Sequence, residues 1–458
     1  MKKQLKKNMA ICLACITSIS LLAGCASSGS NTSSEQTDAD TGNTSSSETV
    51  TITVAGWPSG DDGFKAALDG FHEKYPNIEV EFDFTDNASH HQKLNTELVS
   101  GTGAPDVAMI NGGYMPQYVN SSALVNLLDE PYDAGQYADD FVASEWQIGY
   151  SADGKRLVGI PWDIGACTLF YRTDIFEECG LPTDPEEVAD LMSTWDGVLQ
   201  VAEAVSIPNQ RWFMPNAVDL YQLMFYDRDF FDENLELHVE RDGDLECLAA
   251  VKTLRDNGYD MNTSMWSTEA YAGYAQGSVA CVATGCWFGG FLKQDIDPDG
   301  AGHWASTRIP AGLPQCSGGG SFLVIPEQSE HKEEAWAFIS YMLCTADAQN
   351  TMFEAIDYLP AYTPAWEDPL YQEKDAYFGG QVTKAFWTSL LSDIEPKYHT
   401  IMDVSANDVL DSSVNASLHE GLEPEAIRER LISDIQQATA ESMDEQIQIL
   451  KDAGVWNQ

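Results

Sequence analysis

The chain has 458 residues, is 43% hydrophobic, contains 12 Trp, and carries a formal net charge of −48. That charge excludes nucleic acid and anionic lipid as natural partners. A body of about 410 residues exceeds the usual single-domain size, so two lobes are expected, with large cores.

Residues 1–24 read as a secretion leader. Lys2, Lys3, Lys6 and Lys7 form a basic start, and Met9 to Ala23 is mostly apolar but shorter than the roughly 20 residues that span a bilayer. The Cys12/Cys15 pair falls inside this leader and is set aside as a redox motif. Leu22-Ala23-Gly24-Cys25 resembles the lipobox of bacterial lipoproteins. That resemblance implies cleavage before Cys25, diacylglycerol on its sulfur and an acylated amine. Plain secretion with an incidental cysteine is the alternative. Residues 25–48 then form a lipidated cysteine and a disordered linker. The segment is Ser, Thr, Asn, Gly and acid with no aromatic residue, so it cannot offset the entropy of ordering. As a flexible coil it spans roughly 25–30 Å.

The body opens with a strand over Thr49 to Trp57. A helix follows with Phe64, Ala67, Leu68, Phe71 and Tyr75 on one face, Asp61 or Asp62 as its cap and Pro76 as its stop. "IEVEFDF" is a strand, "SHHQKLNTELVSG" a helix ended by Gly101, and "PDVAMI" a short buried strand. This alternation predicts an α/β lobe with a parallel sheet. Two extended runs flank Pro161 and Trp162. Helices are expected from about Pro185 to Val205, over 244–257 and 268–276, and nearly throughout 400–455. "GSVACVATGCWFGGF" holds a strand and a turn, "WASTRIP" a strand, and "GGGSFLVIP" a glycine turn feeding another. "SEHKEEAWAFISYML" is an amphipathic helix capped by Ser329, with Trp336 on its apolar stripe.

With Cys25 lipidated, an odd set of cysteines remains: Cys167, Cys179, Cys247, Cys281, Cys286, Cys316 and Cys344. They are read as small buried apolar residues rather than a disulfide framework or a zinc site. "DIDPDG", Asp295 to Gly300, imitates half of an EF-hand loop, but position twelve is Ser306 and Pro298 interrupts it. It is read as an acidic surface turn. No cofactor and no metal are expected.

The order of "FHEKYPNIEVEF", "KLNTELVSGTGAPDVAMI", "GIPWDIGACTLFYRTDIFEECGLP", "GYAQGSVACVATGCWFGGF" and "RIPAGLP…GGGSFLVIPEQSEHKEEAWAFISYML" resembles the extracellular solute-binding proteins of family 1. These are sugar-capturing lipoproteins of ABC importers, similar to maltose-binding protein. The resemblance implies a type II periplasmic-binding-protein-like α/β fold. Each of its two lobes would be a mixed sheet flanked by helices, and a ligand cleft between them would close on binding. The approximate lobes are 49–162 plus 309–345, and 163–308 plus 346–458. It also implies a monomer with a sugar or oligosaccharide ligand and an ABC permease as partner, held at the extracellular face of the membrane by its lipid anchor alone.

The candidate ligand residues combine aromatic faces, which stack on sugar C–H patches, with fixed polar groups for hydroxyls. Trp287 sits between Gly285 and Gly289–Gly290 in a turn after a strand, where small neighbours leave an indole face open and where the family places a cleft Trp; the alternative is a core Trp, since Trp is usually well buried. Trp57 and Asn111 end strands at the carboxyl edge, where open α/β sheets bind ligands. Trp162 and Asp163 lie near the first crossover, and Asp163 is placed to accept from two adjacent hydroxyls or to form a hinge salt bridge. The Gly318–Gly320 run, with Gly319 at its centre, either brings backbone N–H groups to the ligand or makes a tight turn. Trp212 and Trp266 are second-lobe walls. Maltose-binding protein has a Trp in the late helical segment, whereas "KYHTIMDV" offers only Tyr398, so the sugar or its linkage is expected to differ from maltose. No catalytic motif is visible, and the reading is a receptor rather than an enzyme. The competing readings are the same scaffold holding a polyamine or glycerol phosphate, or a secreted carbohydrate-active enzyme.

Overall fold

The computed structural model describes residues 49–226, 230–394 and 397–456. The leader, Cys25 and the linker lie outside them. Strand β1 (Val50–Gly56) pairs in parallel with β2 (Ile78–Phe84) from Val50↔Ile78 to Gly56↔Phe84, and with β3 (Val107–Asn111) on its other side. Helices α1 (Pro58–Lys74) and α2 (Asn87–Ser100) are the crossovers. Helix α1 starts at Pro58, whose fixed φ suits the first helical position. Trp57, extended at φ −122°, takes the cap, so Asp61 and Asp62 lie inside the helix rather than at the expected cap. Helix α2 is capped by Asp86, which accepts from Ser89 N at 3.0 Å, and ends at Gly101 with φ 71°.

The short helix α3 (Ala143–Ile148) precedes β4 (Gly159–Pro161). The last strand among the described residues, β8 (Ser321–Val324), inserts antiparallel between β3 and β4, giving the order β2-β1-β3-β8-β4. One face of this sheet packs Ile52, Val54, Phe64, Phe71 and Trp162 against α11 (Lys332–Leu343) and α12 (Ala346–Ile356). The other face packs Leu94, Ile110 and Phe322. Because α12 lies in the first core, that core continues past the expected boundary at residue 345.

The second sheet, β6 (Cys281–Gly285), β5 (Cys167–Arg172) and β7 (Trp304–Thr307), is antiparallel in its named strands. Parallel bridges Trp212↔Val279 and Met214↔Asp260 extend its edge. One core beside it takes α6 (Trp195–Val205), α7 (Val218–Tyr226), α8 (Asp244–Asp256), α14 (Asp403–His419) and α15 (Pro424–Ala438). The other takes α9 (Thr268–Gln276), α10 (Phe288–Phe291) and α13 (Thr383–Ser389). After α4 (Thr173–Glu178), the helix expected over 185–205 is two, α5 (Pro185–Leu191) and α6. Thr194 caps α6 by accepting from Gly197 N, and a Cβ on Gly197 would meet Leu191 O at 1.9 Å, so the break lets two helix ends abut. Ser329 is not the cap of α11. It donates to Asp106 Oδ1 at 2.6 Å and accepts from His331 N, and His331 occupies the cap position without a side-chain bond.

Three segments run side by side between the sheets: 162–166, 308–320 and the chain after α12. Gly165 N donates to Gly319 O at 2.7 Å, Ile164 N to Leu359 O at 2.9 Å and Ala361 N to Trp162 O at 3.1 Å. The seven cysteines of the body are free thiols, and all but the half-buried Cys179 are buried. The turn at 295–300 is not wholly at the surface. Asp297 is buried, and its carboxylate accepts from Trp304 Nε1 at 2.9 Å, with Arg172 at 3.8 Å. Among the described residues no helix is long and apolar enough to cross a membrane.

Candidate functional site

A cleft of ≈ 720 Å³ lies where the carboxyl ends of β1 and β3 face the turn after β6. The parallel pairing of β1 with β3 delivers Trp57 and Asn111 to one edge. Asp163 enters from the first connecting segment, Gly318–Gly320 from the second, and Trp266, Trp287 and Asp295 from the second lobe. Trp57, Asn111, Asp163, Gly319, Trp266 and Trp287 therefore all line this cleft.

Trp287 is half-buried, and its ring lies 5.7 Å from that of Trp266 at 8°, a parallel stack. Trp266 is 47% exposed, so it forms the rim of the pair. The small neighbours expected to open the Trp287 face instead seat its edge. A Cβ on Gly285 would come within 2.2 Å of Trp287 Nε1, and one on Gly165 within 2.6 Å. The glycine run is equally tight: Gly319 has φ 95°, and a Cβ on Gly320 would meet Asp163 O at 2.2 Å. Gly318 N–H is committed to Gly165 O at 2.7 Å and does not face the cleft as a spare donor.

Asp163 is 2% exposed and accepts from Ser321 N at 2.8 Å. Burial pushes its carboxyl up to about 7 against the pull of the Ser321 bond, and the charge of Glu145 raises it further. Asp62, Asp86 and Asp295 also line the cleft, and no Lys, Arg or His does among the described residues. The lining thus offers acceptors and aromatic faces, which suits a ligand rich in hydroxyl donors and repels an anion.

Behind the glycine run a second chamber of ≈ 340 Å³ shares Asn111 and Gly318–Gly320 with the first. Glu145, 2% exposed, accepts from Ser317 Oγ at 3.2 Å. Its Oε2 and the Ser144 hydroxyl have no partner among the described residues. Burial pushes Glu145 up to about 7, offset in part by Lys397. Tyr114, Lys397, His399, Asp403, Asn407 and Asp408 are also on the polar wall.

Two expected residues stand elsewhere. Trp162 is buried in the first core, stacked on Phe64 at 4.5 Å and 27°. Trp212 pairs its main chain with 278–280 and is not part of the cleft wall. Tyr398 lines a neighbouring groove rather than either chamber. Sequence reasoning missed Glu145, Tyr114 and Asp62. Their segments carry ordinary amphipathic helix or loop composition, and only the fold brings Asp62 to the cleft and Glu145 and Tyr114 to the second chamber.

The family model described as bacterial extracellular solute-binding protein matches residues 66–379. The chain is similar to the arabinooligosaccharide-binding protein of Halalkalibacterium halodurans, 26% identical over 337 residues, 69% of this chain and 72% of that one. It is also similar to the lactose-binding protein of Rhizobium radiobacter, 27% identical over 335 residues, 69% and 76% respectively. Among solved structures it resembles the galacto-N-biose-/lacto-N-biose I-binding protein of a Bifidobacterium longum ABC transporter in complex with lacto-N-biose. That likeness has a TM-score of 0.71 at 17% identity over 90% of this chain and 100% of that one, and it speaks for the fold.

Proposed function

The chain belongs to the bacterial extracellular solute-binding proteins, and from that premise we propose that it captures a sugar or oligosaccharide between its lobes and hands it to an ABC permease. One observation carries this reading: three indoles, Trp57, Trp266 and Trp287, meet four carboxylates and no cation among the described residues of one cleft. Indole faces stack on pyranose C–H patches, while Asp62, Asp86, Asp163 and Asp295 accept from hydroxyls. The arabinooligosaccharide and lactose binding of its relatives supports the same class. The chain acts as a receptor, so the sugar leaves unchanged. Ligand contact with both lobes shifts an open–closed equilibrium toward closure. Cys25 carries the lipid anchor, and residues 26–48 are the tether at the outer face of the membrane.

An acid-lined cleft also suits a polyamine, but stacked indoles fit sugar rings better. Calorimetry with arabinooligosaccharides, lactose, lacto-N-biose, maltose and spermidine separates the two. Saturable binding of one saccharide, recovered intact, is the expected result. Binding of spermidine alone, or hydrolysis of the bound sugar, refutes the reading.

A further inference from the structure

His91 lines neither chamber, yet it touches four residues that do. It sits on the buried face of α2 and is 4% exposed. Its ring stacks on Trp57 at 5.6 Å and 28°, and on Tyr114 at 4.2 Å and 20°. Trp57 belongs to the first chamber and Tyr114 to the second. Its two nitrogens are also engaged. Nδ1 lies 2.8 Å from Asn87 O and Nε2 lies 3.1 Å from Asn111 N. A carbonyl only accepts and a backbone N–H only donates, so the ring is neutral with its proton on Nδ1. Burial agrees, pushing the imidazole down to about 4.

This arrangement exceeds what packing a helix requires. Asn111 ends β3, and its side chain accepts from Gly113 N at 3.0 Å to turn the chain toward Tyr114. Without His91 the Asn111 N–H would lose its acceptor at the wall shared by both chambers. His90, the next residue, anchors separately to Met109 O at 2.7 Å and meets Trp57 only edge-on. A Phe at position 91 would keep the stack without either bond. A Gln would keep a polar end without the ring.

We propose that His91 is the positioning residue of the cleft, holding Trp57, Asn87, Asn111 and Tyr114 in one fixed plate that spans both chambers. The proposal rests on the saccharide reading for its ligand. It predicts that His91 sets affinity without touching the sugar.

The test compares His91→Phe and His91→Gln with Leu98→Ala, a buried change farther along the same helix, in the core of Leu94, Ile110 and Phe322 and at neither chamber. Three quantities are read: ligand-free melting temperature, hydrogen exchange of the Asn111 amide, and calorimetric affinity for the best saccharide of the panel above. His91→Phe should exchange the Asn111 amide about tenfold faster or more, whereas the amide oxygen of His91→Gln can still accept from it, and both variants should bind about tenfold more weakly. Leu98→Ala should lower the melting temperature with affinity within about twofold of the parent. If folded His91 variants keep both the Asn111 exchange rate and the affinity of the parent, His91 is only a core residue and the proposal falls. If the parent binds no saccharide, the sugar reading fails by itself. The exchange rate of His91→Phe then decides the proposal alone: accelerated exchange supports it and unchanged exchange overturns it.

Discussion

Asp163→Asn removes a buried acid from the first connecting segment while preserving its shape and its acceptor for Ser321 N. In the folded chain burial pushes the Asp163 carboxyl up to about 7. In the unfolded chain it titrates near about 3.9. Between those values the native state holds a proton that the unfolded state releases. The contribution to stability is therefore fully present below the unfolded value and is lost as pH rises through the folded one. A gap of about three pH units corresponds to about 4 kcal/mol, of which about 2–3 kcal/mol is lost between about pH 5 and about pH 8. Asn does not titrate. Denaturant unfolding of the ligand-free parent and variant at both pH values reads the effect, because the other titrating groups are common to both and the coupling of Asp163 to Glu145 is smaller than the effect of burial. The variant should gain about 2–3 kcal/mol on the parent over that interval. Parallel pH–stability curves for the two proteins would refute the assignment of a buried, charge-strained carboxyl to this position.

Trp287→Ala should weaken saccharide binding by about 2–4 kcal/mol, roughly 30- to 1,000-fold, and, because its edge is seated on Gly165 and Gly285, should also lower ligand-free stability, by less than a fully buried Trp costs, about 3–5 kcal/mol; a stability loss with affinity intact would make it a core residue instead. Trp162→Ala should do the opposite, costing about 3–5 kcal/mol in denaturant unfolding while folded protein keeps its affinity. Gly165→Ala places a Cβ 2.6 Å from Gly319 O and from Trp287 Nε1, so it should destabilise by about 1–3 kcal/mol and weaken binding as well; calorimetry showing unaltered affinity would contradict the close seating of Trp287. Cys25→Ser should release soluble, ligand-competent protein in a membrane fractionation, and retention in the membrane fraction would contradict lipidation.

The first half of the first lobe is plain in the sequence because strands and crossover helices alternate with clean periodicity from Val50 to Asn111. The position of β8 is not, since its four residues say nothing about which strands they separate. Trp57 and Trp162 show the limit at the site. Both follow a strand at the same sheet edge and both are buried in the first core, yet only Trp57 also reaches the cleft, while Trp162 stacks on Phe64. Side-chain direction after the last strand residue decides that, and composition does not encode it. Trp287 was found through its glycines, but the glycines turned out to admit the edge of the indole rather than expose its face. His91 and Glu145 left no signal. A His in an amphipathic helix and a Glu in a short one read as solvated positions until tertiary packing buries them.

The insertion of β8 between β3 and β4 has a consequence for biogenesis. The first sheet lacks an interior strand until residue 324 has been made, long after β4 at 161. During synthesis the N-terminal lobe is left with two unjoined pieces, β2-β1-β3 and the lone β4, and pairing across such a sequence separation is slow. With residues 1–24 read as an export leader, such a chain would stay unfolded long enough to be threaded through a translocation channel, and would lock its first lobe only once most of it had emerged on the far side.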